Sequence, residues 1–272
     1  MPTHIKGRCM ITLLSYLAAG ILAGLLAGLF GVGGGLIIVP TLAYIFKAQG
    51  VPATLLTHLA VGTSLSIITV TSISSVRSHH QHGAVRWPLF AQLAPGLVLG
   101  VFFGVITAGQ LSGATLQRLI GLFALAVAAQ MLLKLQPRPH RQLPAAPLVA
   151  GTGGIIGYCS ALFGIGGGSL TVPFLTWNNV RMQEAVATSA ACGLPIALFG
   201  ALTNIWQGWH HADLPAYSSG FVYWPAFAGI ALTSTLAARW GARLAHRLSP
   251  ERLKQAFGVM LALIGLQFIL GI

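Results

Sequence analysis

The 272-residue chain is 55% hydrophobic and only 7% charged, with a mean hydropathy of +0.80, whereas an ordinary soluble domain carries about 25% charged residues; composition therefore excludes a water-soluble globule and indicates an all-α polytopic membrane protein. Fifteen Lys and Arg against three acids give a net charge of +12, but the basic residues collect between apolar segments and are not interleaved with aromatics, which fits contact with membrane lipid and excludes nucleic acid as a partner. Cys9, Cys159 and Cys192 have neither disulfide nor metal-ligand spacing and read as small apolar fillers.

Lys6 and Arg8 precede an apolar run from Ile11 to Phe30, long for a signal-peptide core and read as the first span. It leads into Gly31-Val32-Gly33-Gly34-Gly35 and a short apolar piece through Val39-Pro40 to Phe46 and Lys47. Glycine costs about 1 kcal/mol per residue in a helix interior relative to alanine, and a β-branched residue before proline resists the α region. A helix break is predicted here, with a new helix starting near Leu36 or Pro40 and reaching about half way across a bilayer. The segment from Leu55 to Val76 carries Thr63, Ser64, Ser66, Thr69, Thr71, Ser72 and Ser74, a hydroxyl density suited to helix contacts or a polar path rather than lipid. Arg77 to Arg86 is predicted as loop. Trp87-Pro88 opens a span to Thr107 in which Gly96, Gly100 and Gly104 recur on one face, the close-packing pattern of membrane helices. A further span runs from Leu116 to Leu133.

Residues 135–147, basic and broken by prolines, read as a linker between a first transmembrane repeat, 1–134, and a second, 148–272. The second half restates the plan. It has apolar sequence to Phe163, a break at Gly164-Ile165-Gly166-Gly167-Gly168, a short segment through Ser169, Thr171 and Pro173 to Trp177, a loop from Asn178 to Glu184, and a hydroxyl-bearing span from Ala185 to Trp206. A wet stretch, Gln207 to Gly220, precedes a span from Trp224-Pro225 to Ala238 and a last helix from Leu253 to Ile272. The glycine runs and their prolines keep a lag of 133 residues, as from Phe30 to Phe163; the Trp-Pro pairs keep 137, and the Ala-Val-x-Thr-Ser runs ending at Ser64 and Ser189 keep 125. Two homologous repeats are expected, with about eight full transmembrane helices plus glycine-broken short helices.

Orientation stays open at this level. If the short segments do not cross, the repeats are parallel and the basic residues split seven against eight. If they complete a crossing, the repeats are inverted and eleven of the fifteen fall on one side, leaving Lys6, Arg8, Lys47 and Arg118 opposite, the split that the positive-inside rule prefers.

Irregular backbone at membrane depth belongs where protein buries it or a polar cavity receives it, and paired breaks suggest a site between repeats. A helix starting after each glycine run offers unpartnered N–H groups and about half a positive charge, and glycine lets that backbone approach a ligand. Gly33, Gly34, Gly35 and Pro40 in one half, and Gly166, Gly167, Gly168, Ser169, Thr171 and Pro173 in the other, are therefore expected to bind a small anionic solute. Thr63, Ser64, Thr188 and Ser189 are expected to add hydroxyls. Glu184, Asp213 and Glu251 all lie outside or at the ends of the spans, so a buried cation would find no partner.

His79, His80 and His82, and His210 and His211 with Asp213, offer ligands to a transition metal, yet loop histidines at a membrane surface are commonly just solvated. His58 reads either as a proton carrier or as a packed neutral histidine. No nucleophile and base occur together in the apolar segments, so no enzyme is expected; there is no P-loop, and no cofactor is expected.

The motifs Phe30-Gly31-Val32-Gly33-Gly34-Gly35 with Pro40 and Phe163-Gly164-Ile165-Gly166-Gly167-Gly168 with Pro173, together with Thr63-Ser64 and Thr188-Ser189, resemble those of the TauE/SafE family of sulfite-exporter-type permeases, over almost the whole chain. The resemblance implies a multi-pass carrier of the bacterial inner membrane, usually of about eight spans, for small sulfur oxyanions or organic sulfonates such as sulfite or sulfoacetate. Direction, coupling ion and assembly into a homo-oligomer stay open. The competing readings are a non-transporting membrane anchor or assembly component and, behind it, a transition-metal carrier.

Overall fold

A computed structural model describes residues 14–26, 35–133, 143–245 and 250–271. Phe30, Gly31, Gly33 and Gly34, on which part of the predicted site falls, lie outside the described residues, as do most of the linker and both N-terminal basic residues. Ten helices follow in order: α1 (Leu14–Leu26), α2 (Gly35–Ala48), α3 (Ala53–Gln81), α4 (Trp87–Gln110), α5 (Gly113–Leu132), α6 (Ala146–Phe163), α7 (Gly168–Trp177), α8 (Met182–Gly208), α9 (Trp224–Ala245) and α10 (Pro250–Leu270). Among them α3, α4, α5, α6 and α8 are long and apolar enough to cross a bilayer. Shorter apolar stretches are Leu14–Leu26, Gly35–Ala48, Trp224–Ala238 and Gln255–Leu270.

One local expectation is corrected and two are made specific. The α3 helix continues through Arg77–Gln81 instead of becoming loop there; no breaker precedes Gly83, whose φ of +64° is the left-handed conformation that glycine adopts without strain. Of the two starts expected for each helix after the glycines, the described helices take the earlier, α7 opening at Gly168 and α2 being helical from Gly35, so Pro40 and Pro173 sit inside them. Each proline removes one backbone bond of its helix, and surrounding packing, with Val39 buried, outweighs the local preference. The wet stretch folds into a two-stranded antiparallel hairpin, β1 (Ser218–Ser219) paired with β2 (Val222–Tyr223).

Small residues set the close packing. A Cβ at Gly96, Gly100 or Gly104 would run into the carbonyl oxygens of Ala150, Gly154 and Tyr158, while Gly153 and Gly157 face the backbone of Leu93 and Leu97. The rising order of these pairs makes α4 and α6 parallel, with backbones in contact as expected of a small-residue seam. The α1–α9 pair has the same character, Gly20 against Ile230 and Gly24 against Ser234. By contrast α3 and α8 are antiparallel, Gly62 meeting Asn204 and Gly200 meeting Leu65. Phe123 of α5 stacks on Phe163 at the end of α6, ring centroids 4.4 Å apart.

Candidate functional site

The second glycine break is fully described. Helix α6 ends at Phe163, Gly164 takes a left-handed turn (φ 65°, ψ 30°), and Gly167 caps α7 without any side-chain hydrogen bond. The start of α2 meets this break. A Cβ on Gly35 would lie 2.7 Å from Ile165 Cα and 2.9 Å from the Gly164 carbonyl oxygen, and Val39 and Val61 pack on Gly164. Glycine at position 35 is thus needed for two backbones to touch. Gly35 and the second break lie level with the middle of long helices: Gly35 and Gly166 face Ile68 of α3, and Gly167 faces Gly193 and Ile196 of α8.

The four hydroxyls predicted from the Thr-Ser pairs divide. Thr63, Ser64, Thr188 and Ser189 are all buried on α3 and α8. Ser64 Oγ donates to the Gly164 carbonyl at 2.9 Å. Thr63 Oγ1 accepts from the Tyr223 amide and Thr188 Oγ1 from the Arg86 amide, each at 3.0 Å; Arg86 and Tyr223 are the residues before the two Trp-Pro pairs. Ser189 has no hydrogen-bond partner, and it shares that state with Ser160, Ser169 and Thr171.

These unsatisfied hydroxyls are the chemical content of the site. Ser160 and Thr171 are 0% exposed and Ser189 is 1% exposed, and a buried hydroxyl without a partner costs about 1–3 kcal/mol. Ser169 and Thr171 belong to the first turn of α7, and Thr171 Oγ1 lies 3.2 Å from where a Gly167 Cβ would sit. Ser160 lies one turn before Gly164 in α6. On α8, Gly193 leaves a small space: a Cβ there would meet nothing closer than Ser72 Oγ at 3.5 Å and the Gly167 nitrogen at 3.8 Å. Ser189 is one turn away on the same face.

The arrangement is lopsided. At the 133-residue lag Ser169 and Thr171 correspond to Leu36 and Ile38, buried apolar residues of α2, so the described hydroxyl donors gather at the start of α7. Pro40 lines a separate groove of about 410 Å³ among α2, α3, α5 and α10, together with Tyr44, Lys47, Gln117 and Gln267; Pro173 lies mid-way along α7. Sequence reasoning missed Ser160 and Gly193, and named Ser72 only among the hydroxyls of its segment. Ser160 had one signal, a hydroxyl three residues before the Phe-Gly step; Gly193 had none, because a lone glycine in a long apolar helix commonly marks packing.

Charge is kept away. No Lys or Arg is among the buried described residues. Arg86 pairs with Glu184 at 3.7 Å near the start of α8, and Asp213 is in an exposed turn. Among the described residues no group of three or more His, Cys, Asp and Glu is placed to hold a metal. His80 instead accepts from the Trp87 indole and His82 bonds the Ser78 carbonyl.

Comparison with known proteins covers nearly the whole chain. Residues 16–268 match the family described as sulfite exporter TauE/SafE. A probable membrane transporter protein of Haemophilus influenzae is 37% identical over 255 residues, covering 93% of this chain and 97% of that protein. A probable membrane transporter protein of Methanocaldococcus jannaschii is 29% identical over 275 residues, covering 99% and 100%. No solved structure matches.

Proposed function

We infer that this chain, which belongs to the TauE/SafE sulfite exporter family and is a multi-pass membrane transporter, is a non-enzymatic secondary carrier for a small oxyanion or organic anion of the sulfite, sulfonate or sulfoacetate kind in a bacterial inner membrane. The observation that carries the reading is the set of buried, unpartnered hydroxyls, Ser160, Thr171 and Ser189, around the glycine-started helix α7. An anion among them accepts their hydrogen bonds, offsets their desolvation, and meets the positive end of the α7 macrodipole. With no buried Lys or Arg among the described residues to add charge, about half a unit from the helix start suits a single negative charge better than two.

Two halves of inverted topology support alternating access around this place. Helices α3 and α8, which hold corresponding positions, run antiparallel, and the Thr63–Tyr223 and Thr188–Arg86 bonds are reciprocal. That arrangement corresponds to the topology that puts eleven basic residues on one face.

The test is counterflow in proteoliposomes with sulfite, sulfate, thiosulfate, taurine and sulfoacetate. Thr171→Val is expected to lower exchange of the accepted anion by roughly 10–100-fold, the loss of one hydrogen bond to a charged group, and Gly193→Ala is expected to lower it by putting a methyl into the space beside Gly167, while folding and insertion persist in both. The valine is isosteric, and the added methyl meets no close neighbour. Wild-type exchange rates in both variants overturn the site.

A further inference from the structure

The groove of about 410 Å³ beside Pro40 is separate from the glycine break and lies where two helix pairs meet. Helix α2 packs on α3, and α10 packs on α5. Gly121 and Gly265 face each other's carbonyl oxygens and Gly258 meets Leu132, which makes α5 and α10 antiparallel. The pairs are tied together at one end, where the Thr57 hydroxyl of α3 donates to the Gly113 carbonyl of α5 at 3.0 Å.

Helix direction grades this groove from apolar to polar. Helix α2 runs from the level of Ile68, in the middle of α3, to Ala48, just before α3 begins, and α10 ends on the same side because it opposes α5. Lys47 is seven residues past Pro40, about 10 Å nearer that end along the helix axis. Lys47, Gln117 and Gln267 therefore mark the mouth, while Pro40 and Ile264 line the deeper part. Lys47 is the one charged side chain of the lining, is exposed, and has no ion-pair partner among the described residues. Helices α3 and α5 begin at this mouth and α2 and α10 end there, so the macrodipole ends offset one another and Lys47 makes the mouth positive. The amides of Gln117 and Gln267 bring N–H donors, and Tyr44, exposed on the rim, suits the boundary between hydrocarbon and water.

We propose that this groove holds one anionic phospholipid of the surrounding bilayer, its phosphate at Lys47 and an acyl chain laid along Pro40 and Ile264. The occupant has to be negative at the mouth, accept hydrogen bonds there, and be apolar below. A small free anion leaves the apolar part unfilled, whereas a basic pocket between membrane helices is suited to an acidic head group with its chain in hydrocarbon. Lipid binding here does not depend on the carrier reading above.

The test is native mass spectrometry of the full-length protein in detergent with equal amounts of phosphatidylglycerol and phosphatidylcholine bearing the same chains; no transport substrate is needed. One phosphatidylglycerol is expected to be retained in preference. Lys47→Gln is expected to lower that preference roughly fivefold, the worth of one basic residue beside an anionic lipid, and Lys47→Arg to keep it. Arg181→Gln, exposed at the start of α8 and outside the groove, is expected to change nothing. Ala53 is exposed at the first residue of α3 and lines the groove, so Ala53→Trp is expected to remove the lipid whatever its head group. Thermal unfolding shows that each variant folds, and added phosphatidylglycerol is expected to raise the midpoint of the wild type but not of Ala53→Trp. Equal retention of the two lipids by the wild type, or a preference untouched by Lys47→Gln, overturns the proposal. So does a dimer that Ala53→Trp dissociates, which would make the groove an interface between copies of the chain.

Discussion

Ser64 and Ser189 end the same Ala-Val-x-Thr-Ser run, yet their hydroxyls have different fates: one closes on the Gly164 carbonyl, the other has no partner. Removing Ser64 Oγ strands a buried carbonyl at a left-handed turn, so Ser64→Ala is expected to lower stability by about 1–3 kcal/mol. Ser189→Ala removes an unsatisfied group and is expected to leave stability unchanged or raised. Thermal unfolding in detergent distinguishes them, and equal losses in both would mean that Ser189 has a structural partner. The sequence pointed to both residues as hydroxyls facing something polar. It could not separate them, because a partner one hundred residues away is invisible in local spacing.

At the scale of elements, the glycine seam between α4 and α6 was legible in sequence because three glycines at intervals of four share one face. Its partner was not, since any helix with small residues would serve. Gly100→Ala adds a methyl into the Gly154 carbonyl and is expected to cost about 1–3 kcal/mol. Gly151→Ala in α6, where a Cβ meets nothing within 4 Å, is expected to gain about 0.5–1 kcal/mol from helix propensity alone. Unfolding of the two variants side by side checks this; a destabilised Gly151→Ala would show an unseen contact on that face. The second helix break was also legible, from glycine's weak helix propensity. Between the two starts expected for each following helix the sequence could not choose, because tertiary packing keeps Pro40 and Pro173 inside helices against their local preference.

For the whole molecule, the reciprocal Thr bonds and the antiparallel α3–α8 pair support the proposed reading of inverted halves. The expectation is a cytoplasmic linker and two termini on the opposite face. Reporter fusions check it: a fluorescent fusion active within 135–147 and a phosphatase fusion active after residue 272 are expected, and the opposite pattern at either point overturns the arrangement.

Composition alone determined that the chain lives in a bilayer, and the glycine motif determined that a helix breaks after Phe163, because hydropathy and backbone propensity are properties of neighbouring residues. Only the tertiary structure decided that Gly35 at the start of the described α2 touches the second break, that three of the four paired hydroxyls are occupied by backbone groups, and that Ser160, Thr171 and Ser189 are buried with nothing to bond. Whether a polar atom is satisfied depends on which distant backbone reaches it, and that is a property of packing rather than of sequence order.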